Sequence, residues 1–221
     1  MAPISVPTEP ALTKYQGMWE QAAQSVGQGV TAFQAKVLYV CGMMRHLAES
    51  AGHSLSHPPP FYLGAYAITC GAIELLGRCA SGDDVEDRGA GARLKRGLRE
   101  VGGLSPTGDG EKDVVVTAGG RQYTVNECAG LRNFCAHGGS AGRVVLEPSL
   151  VGNLLKKFAA ALNNYWNSLV ASGDENARTN LAKAAVTPLF ASGSVIHVPA
   201  MLKHVSDGKA VGDKLLFSDR W

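Results

Sequence analysis

No stretch of this 221-residue chain is apolar and long enough to cross a bilayer. Residues Met1 to Pro10 also lack the basic-then-apolar pattern of an export signal, so the expectation is a cytoplasmic protein without a membrane partner. Charge of one sign is scarce too. Lys and Arg number 21 against 19 Asp and Glu, leaving a net charge of +2 and a pI near 8.3, which permits a nucleic-acid partner without requiring one. The five cysteines, Cys41, Cys70, Cys79, Cys128 and Cys135, are odd in number and form no CxxC pair. Their spacing points neither to a disulfide framework nor to a structural zinc site, and they read as small buried residues of a reducing compartment. HExxH, P-loop and Rossmann fingerprints are missing, and Ser140 and Ser149 have no nucleophile-elbow context. No metal or cofactor is therefore expected. Internal repeats and low-complexity segments are absent as well.

What the chain does have is helical periodicity. Apolar residues recur at helical spacing over residues 11–25, 31–51, 61–79, 150–171 and 174–185. The second of these is expected to stop at Gly52 and the prolines after His57, and it sets Phe33, Val37, Val40, Cys41 and Met44 on one side with Lys36, Arg45 and Glu49 on the other. Phe61 to Cys79 is the most apolar and reads as a central element. A basic helix, residues 92–101, follows a polar loop. Between Asp113 and Val125 the period changes, and Val114-Val115-Val116-Thr117, a Gly119-Gly120 turn and Gln122-Tyr123-Thr124-Val125 read as a β-hairpin. The expected architecture is an all-α antiparallel bundle with that hairpin as a small insertion. Its parts are a lead-in and helix over residues 1–30, the bundle over 31–187 and an extension over 188–221.

One segment places a guanidinium and an imidazole together: Arg132-Asn133-Phe134-Cys135-Ala136-His137, followed by Gly138-Gly139. Arg holds phosphate through planar two-pronged hydrogen bonds, and His exchanges a proton near neutral pH. The same pair also reads as an ordinary helix end, with His favoured by the local dipole and Arg a solvated charge. Asn126 is the expected N-cap of this helix, without a capping box because position 129 is Ala, and Gly138-Gly139 is the expected stop. On a continuous helix, residues five apart are splayed by about 140° and separated by about 7.5 Å along the axis. Ending the helix at His137 is what would let both heads address one phosphate.

In this context, Leu131 to Gly138 resembles the signature of the HEPN superfamily, an Arg, a polar residue and then a His late in a helix of an all-helical bundle. The helix containing Gly71-Ala72-Ile73-Glu74-Leu75-Leu76-Gly77 is similar to the preceding core helix of that superfamily. The resemblance covers residues 31–171 in organisation, with the short motif its specific part. It implies a metal-independent endoribonuclease, in which two protomers of a homodimer form a composite cleft and the RNA 2′-hydroxyl attacks the adjacent phosphate. Carried over, His137 is the general acid or base and Arg132 stabilises the scissile phosphate. Asn133, one turn before His137, orients the imidazole or binds phosphate. A prokaryotic toxin or defence effector, with an antitoxin or effector partner, is the implied setting. Position 139 is Gly where some family toxins controlled by nucleotide modification have Tyr, which argues against that control. The alternative is a non-catalytic HEPN-like module that binds RNA or protein.

Two further features bear on this site. Glu74 lies in the most apolar helix, where a bare carboxylate is costly. Either it pairs with Arg78 one turn later, or Glu74 or Arg78 lines the cleft and orients Arg132 or His137. Arg93, Lys95, Arg96 and Arg99 on the basic helix either track an RNA backbone, with Arg93 and Arg96 as substrate contacts, or form a solvated face. The other histidines show no metal-ligand spacing.

Overall fold

The computed structural model describes residues 9–26, 28–84, 89–137 and 146–188, and beyond these only the strand residues 190–191, 194–195, 210–211 and 214–215. Seven helices lie among the described residues: α1 (Gln16–Val26), α2 (Ala32–Ser56), α3 (Tyr62–Ser81), α4 (Ala90–Gly102), α5 (Val125–His137), α6 (Pro148–Val170) and α7 (Glu175–Lys183). A hairpin of β1 (Val114–Ala118) and β2 (Arg121–Thr124) sits between α4 and α5. Two further two-stranded ladders, β3 (Phe190–Ala191) with β4 (Ser194–Val195) and β5 (Ala210–Val211) with β6 (Lys214–Leu215), follow α7. The expectation of a mainly helical chain with a β-hairpin insertion therefore holds.

The core lies among α2, α3 and α6. Phe33, Val40, Cys41 and Met44 from α2, Tyr66, Cys70, Ile73 and Leu76 from α3, and Leu154, Phe158, Leu162 and Trp166 from α6 are all buried. Thr31 opens α2 with a capping box. Its hydroxyl accepts from Gln34 N, and the Gln34 side chain accepts from Thr31 N. Lys36 corrects the sequence expectation. Positions 33, 36, 37, 40, 41 and 44 form one helical stripe, so Lys36 belongs to the inner face by spacing, and it is fully buried. It donates from Nζ to Ala184 O (2.8 Å) and Ala182 O (3.3 Å) and lies 5.9 Å from the Trp19 ring centroid. Arg78 donates to Ala185 O, and Trp19 Nε1 to Val186 O. Donors from three helices thus hold the extended residues after α7.

The contact of α3 with α4 depends on two glycines. A Cβ at Gly77 would stand 2.1 Å from Arg93 O, and one at Gly97 only 1.9 Å from Ile73 O. No side chain fits at either position, so the two backbones touch there. This approach brings the side chains of α4 within reach of Glu74 on α3.

The hairpin does more than decorate the bundle. Gly119 and Gly120 both take positive φ, as a two-residue type I′ loop requires, and the strands pair from Ala118 with Arg121 to Val114 with Thr124. Val115, Val116, Ala118 and Tyr123 are buried. From α6, Lys157 donates to Val115 O (2.7 Å) and Asn153 to Thr117 O (3.0 Å). Strand β2 then passes into α5 without an intervening residue.

Candidate functional site

The start of α5 differs from the sequence expectation. Helix geometry begins at Val125, one residue before the expected cap, and a capping box is present after all. Thr124 Oγ1 accepts from Glu127 N (3.3 Å), while Glu127 Oε2 accepts from Thr124 N (2.9 Å). Asn126 lies within the helix and donates its backbone N–H to Gly110 O. Glu127 also pairs with Arg121 at 2.7 Å, and the hydrogen bond from Thr124 together with this guanidinium holds its carboxyl below the ordinary range. The box is legible in the sequence, where Thr-x-x-Glu spans residues 124–127, two residues ahead of the cap that Asn126 suggests by type.

Helix α5 runs unbroken to His137, its last residue, so Arg132, Asn133 and His137 all lie on one helix. The Gly138-Gly139 stop falls outside the described residues. Arg132 is held from below. Its Nη2 lies 3.4 Å from Glu74 Oε2, and its Nη1 3.4 Å from Oδ1 of the exposed Asn133. The other oxygen of Glu74 faces Arg93 Nε at 3.3 Å, and Arg93 Nη1 lies 3.7 Å from Asp83 Oδ2. Asp83, Arg93, Glu74 and Arg132 therefore form a chain of alternating charge across α3, α4 and α5. Exposure changes along it, from 6% for the Arg93 side chain to 29% for that of Arg132. Arg132 is the member with donors to spare at the surface. A guanidinium anchored on one edge by a carboxylate loses conformational freedom while keeping donors free for an oxyanion.

Of the two readings of Glu74, the structure has it reach across the bundle to Arg93 and Arg132 rather than along α3 to Arg78, and Arg78 reaches Ala185 O. Arg93, expected as a substrate contact or part of a solvated face, is instead buried and paired with Glu74 and Asp83. Arg99 is likewise internal, donating to Ser105 O, Gly108 O and Asp113 and so organising the loop that precedes the hairpin. Lys95 and Arg96 stay exposed on α4. The basic segment is divided: Arg93 turns inward to the α3 carboxylate Glu74, Arg99 turns inward to Asp113 and the loop after α4, and Lys95 and Arg96 face solvent. Asp83 was missed by sequence reasoning. It sits just past the end of α3, ten positions before Arg93, a separation that an antiparallel helix pair brings face to face.

Beneath Arg132, Tyr66 donates to Cys128 O (2.8 Å) beside Cys70 and Cys135. Burial pushes the Cys128 thiol up to about 12 and raises Cys70 and Cys135 as well, which keeps these thiols neutral and poor nucleophiles at neutral pH. Among the described residues no group of three or more His, Cys, Asp or Glu side chains could hold a metal ion. His46, His53 and His57 are exposed. Family models, curated proteins and solved structures yield no match to the chain, so the HEPN resemblance rests on its own residues.

Proposed function

We propose that this chain is the subunit of a homodimeric, metal-independent endoribonuclease that cleaves single-stranded RNA. What supports the reading is the anchoring of Arg132 by Glu74, a carboxylate supplied from the core helix α3 to a surface guanidinium on the helix that ends at His137. A carboxylate buried for ion pairing alone needs no exposed partner, yet Arg132 is the most exposed member of the chain of charges. In the proposed reaction His137 takes the proton of the RNA 2′-hydroxyl, whose oxygen attacks the adjacent phosphorus. The bond from phosphorus to the 5′-oxygen breaks, and that oxygen leaves with a proton supplied by an imidazolium. Arg132 neutralises the charge gathering on the non-bridging oxygens, and Asn133 assists one turn before His137. The products are a 2′,3′-cyclic phosphate and a 5′-hydroxyl. A toxin or defence role fits this chemistry. The inward commitment of Arg93 and Arg99 leaves little continuous basic surface on α4, which favours cleavage over passive RNA binding.

The test is incubation of labelled single-stranded RNA with the purified protein in EDTA. Cleavage leaving cyclic phosphate ends is expected. His137→Ala should reduce it by at least about 100-fold, with the helical circular dichroism unchanged. Cleavage that survives the substitution, or that appears only with divalent metal, overturns the proposal.

A further inference from the structure

A second site lies where α2, α6 and α7 meet. A groove of about 390 Å³ opens there, lined chiefly by Val30, Phe33, Val37, Leu38, Trp166 and Leu169. That volume is at the small end of ligand pockets, and the walls are almost wholly apolar. Arg178 also lines it, its guanidinium carbon 5.4 Å from the Phe33 ring centroid. Two buried donors accompany these walls. Trp166 Nε1 and Arg178 Nε have no hydrogen-bond partner, and they are two of only five such side-chain atoms among the described residues. Trp166 is 3% exposed, so its unused N–H cannot be attributed to bulk solvent. Glu9 lines the same groove, yet no ion pair joins it to Arg178 among the described residues.

Buried donors are normally paired, and leaving them empty is costly. Here the lining supplies apolar surface and two donors, one of them cationic, and neither donor is paired with the Glu9 or Gln34 side chain that shares the groove. The complement is a molecule with an apolar body and a single anionic oxygen head. We propose that this groove binds a small amphipathic carboxylate, its hydrocarbon part against Val37, Leu38 and Leu169 and its carboxylate accepting from Trp166 and Arg178. An alcohol of equal length would fill the walls but satisfy the donors poorly. A quaternary ammonium would meet repulsion from Arg178. The site uses no residue of the Arg132 network and does not depend on its activity.

Decanoate is a suitable probe for the isotope-labelled full-length chain, with the Trp166 indole N–H signal identified by its loss in Trp166→Phe. Saturable binding that moves this signal downfield is expected, at least about tenfold tighter than decanol, with no binding of decyltrimethylammonium. Arg178→Gln should bring decanoate to the affinity of decanol and leave decanol unchanged, while Arg178→Lys should retain part of the preference. Glu9→Gln should tighten decanoate binding by removing a like charge from the rim. Equal affinity for the three head groups, or no saturable change at Trp166, overturns the inference with the wild-type chain alone, so it does not depend on any variant folding.

Discussion

Two cations mark the extremes of how this molecule treats buried charge. Lys36 is closed off, reaching only backbone carbonyls and an indole face, with no carboxylate among its hydrogen-bond partners. Arg132 is open, tethered through Glu74 to a second arginine and a second carboxylate and still partly in solvent. Desolvation pushes the Lys36 ammonium down from 10.5 to about 8, a sign of a charge the fold tolerates at a cost. In the Arg132 network, carboxylates offset that cost. A cation enclosed by carbonyls ties segments of chain together, whereas one steadied by a carboxylate at the surface keeps donors available for a ligand.

The contrast can be broken most forcefully at Gly97. Its added Cβ in Gly97→Ala would meet Ile73 O, a backbone atom with nowhere to go, and α4 must move away from α3. Destabilisation of about 3 kcal/mol or more is expected in urea unfolding, with Arg93 drawn from Glu74 while the Lys36 site is spared. A stability loss under about 1 kcal/mol would show that the helices are not locked at this crossing.

Lys36 offers an effect of similar size through pH. In the folded protein it loses its proton near pH 8 and in the unfolded chain near 10.5, so between those values the unfolded state holds more protons and rising pH favours folding. Relative to Lys36→Met, the wild type should gain about 3 kcal/mol over that window, and the gain should vanish as pH falls through 8. The comparison with the variant matters because the buried thiols and tyrosines act in the opposite direction at high pH. A flat difference between the two proteins would mean that Lys36 is better hydrated than its burial implies.

Glu74→Gln gives the smallest of the three effects. Removing the charge between Arg93 and Arg132 should cost about 2 kcal/mol, since the site is only partly desolvated. Under the proposed ribonuclease reading it should also lower kcat about tenfold with little change in KM, because Glu74 positions Arg132 without touching substrate. Glu74→Asp should recover part of kcat. A purely structural Glu74 would move stability alone.

Much of the fold was legible because helical periodicity and the Val-rich hairpin are local signals. The helices fall where the spacing places them, with the largest boundary differences at the start of α1 and the end of α2, and Gly119-Gly120 marks the hairpin turn. The site was legible in part. Arg132 stands out by its neighbours in sequence, but its relation to Glu74 depends on the crossing of α3 with α5, which no local pattern contains. The errors share a cause. Residue type places Lys36, Arg93 and Arg99 at the surface, facing solvent or RNA, although their positions fall on inner faces and their partners come from other helices or from loops. Asn126 likewise reads as a cap by type, while the capping pair of Thr124 and Glu127 lies across it.

The direct passage from β2 into α5 has a consequence for how the surface can change. An α-helix turns by about 100° per residue, so an insertion at the junction of Thr124 and Val125 would rotate every later side chain of α5 about its axis. One added residue there would swing Arg132 away from Glu74, although nothing in the motif itself had been altered. The same addition at the Gly119-Gly120 turn would be absorbed before it reached the helix. The bearing of Arg132 is thus set by strand register, and the hairpin acts as the index mark from which the angular position of the whole motif is counted.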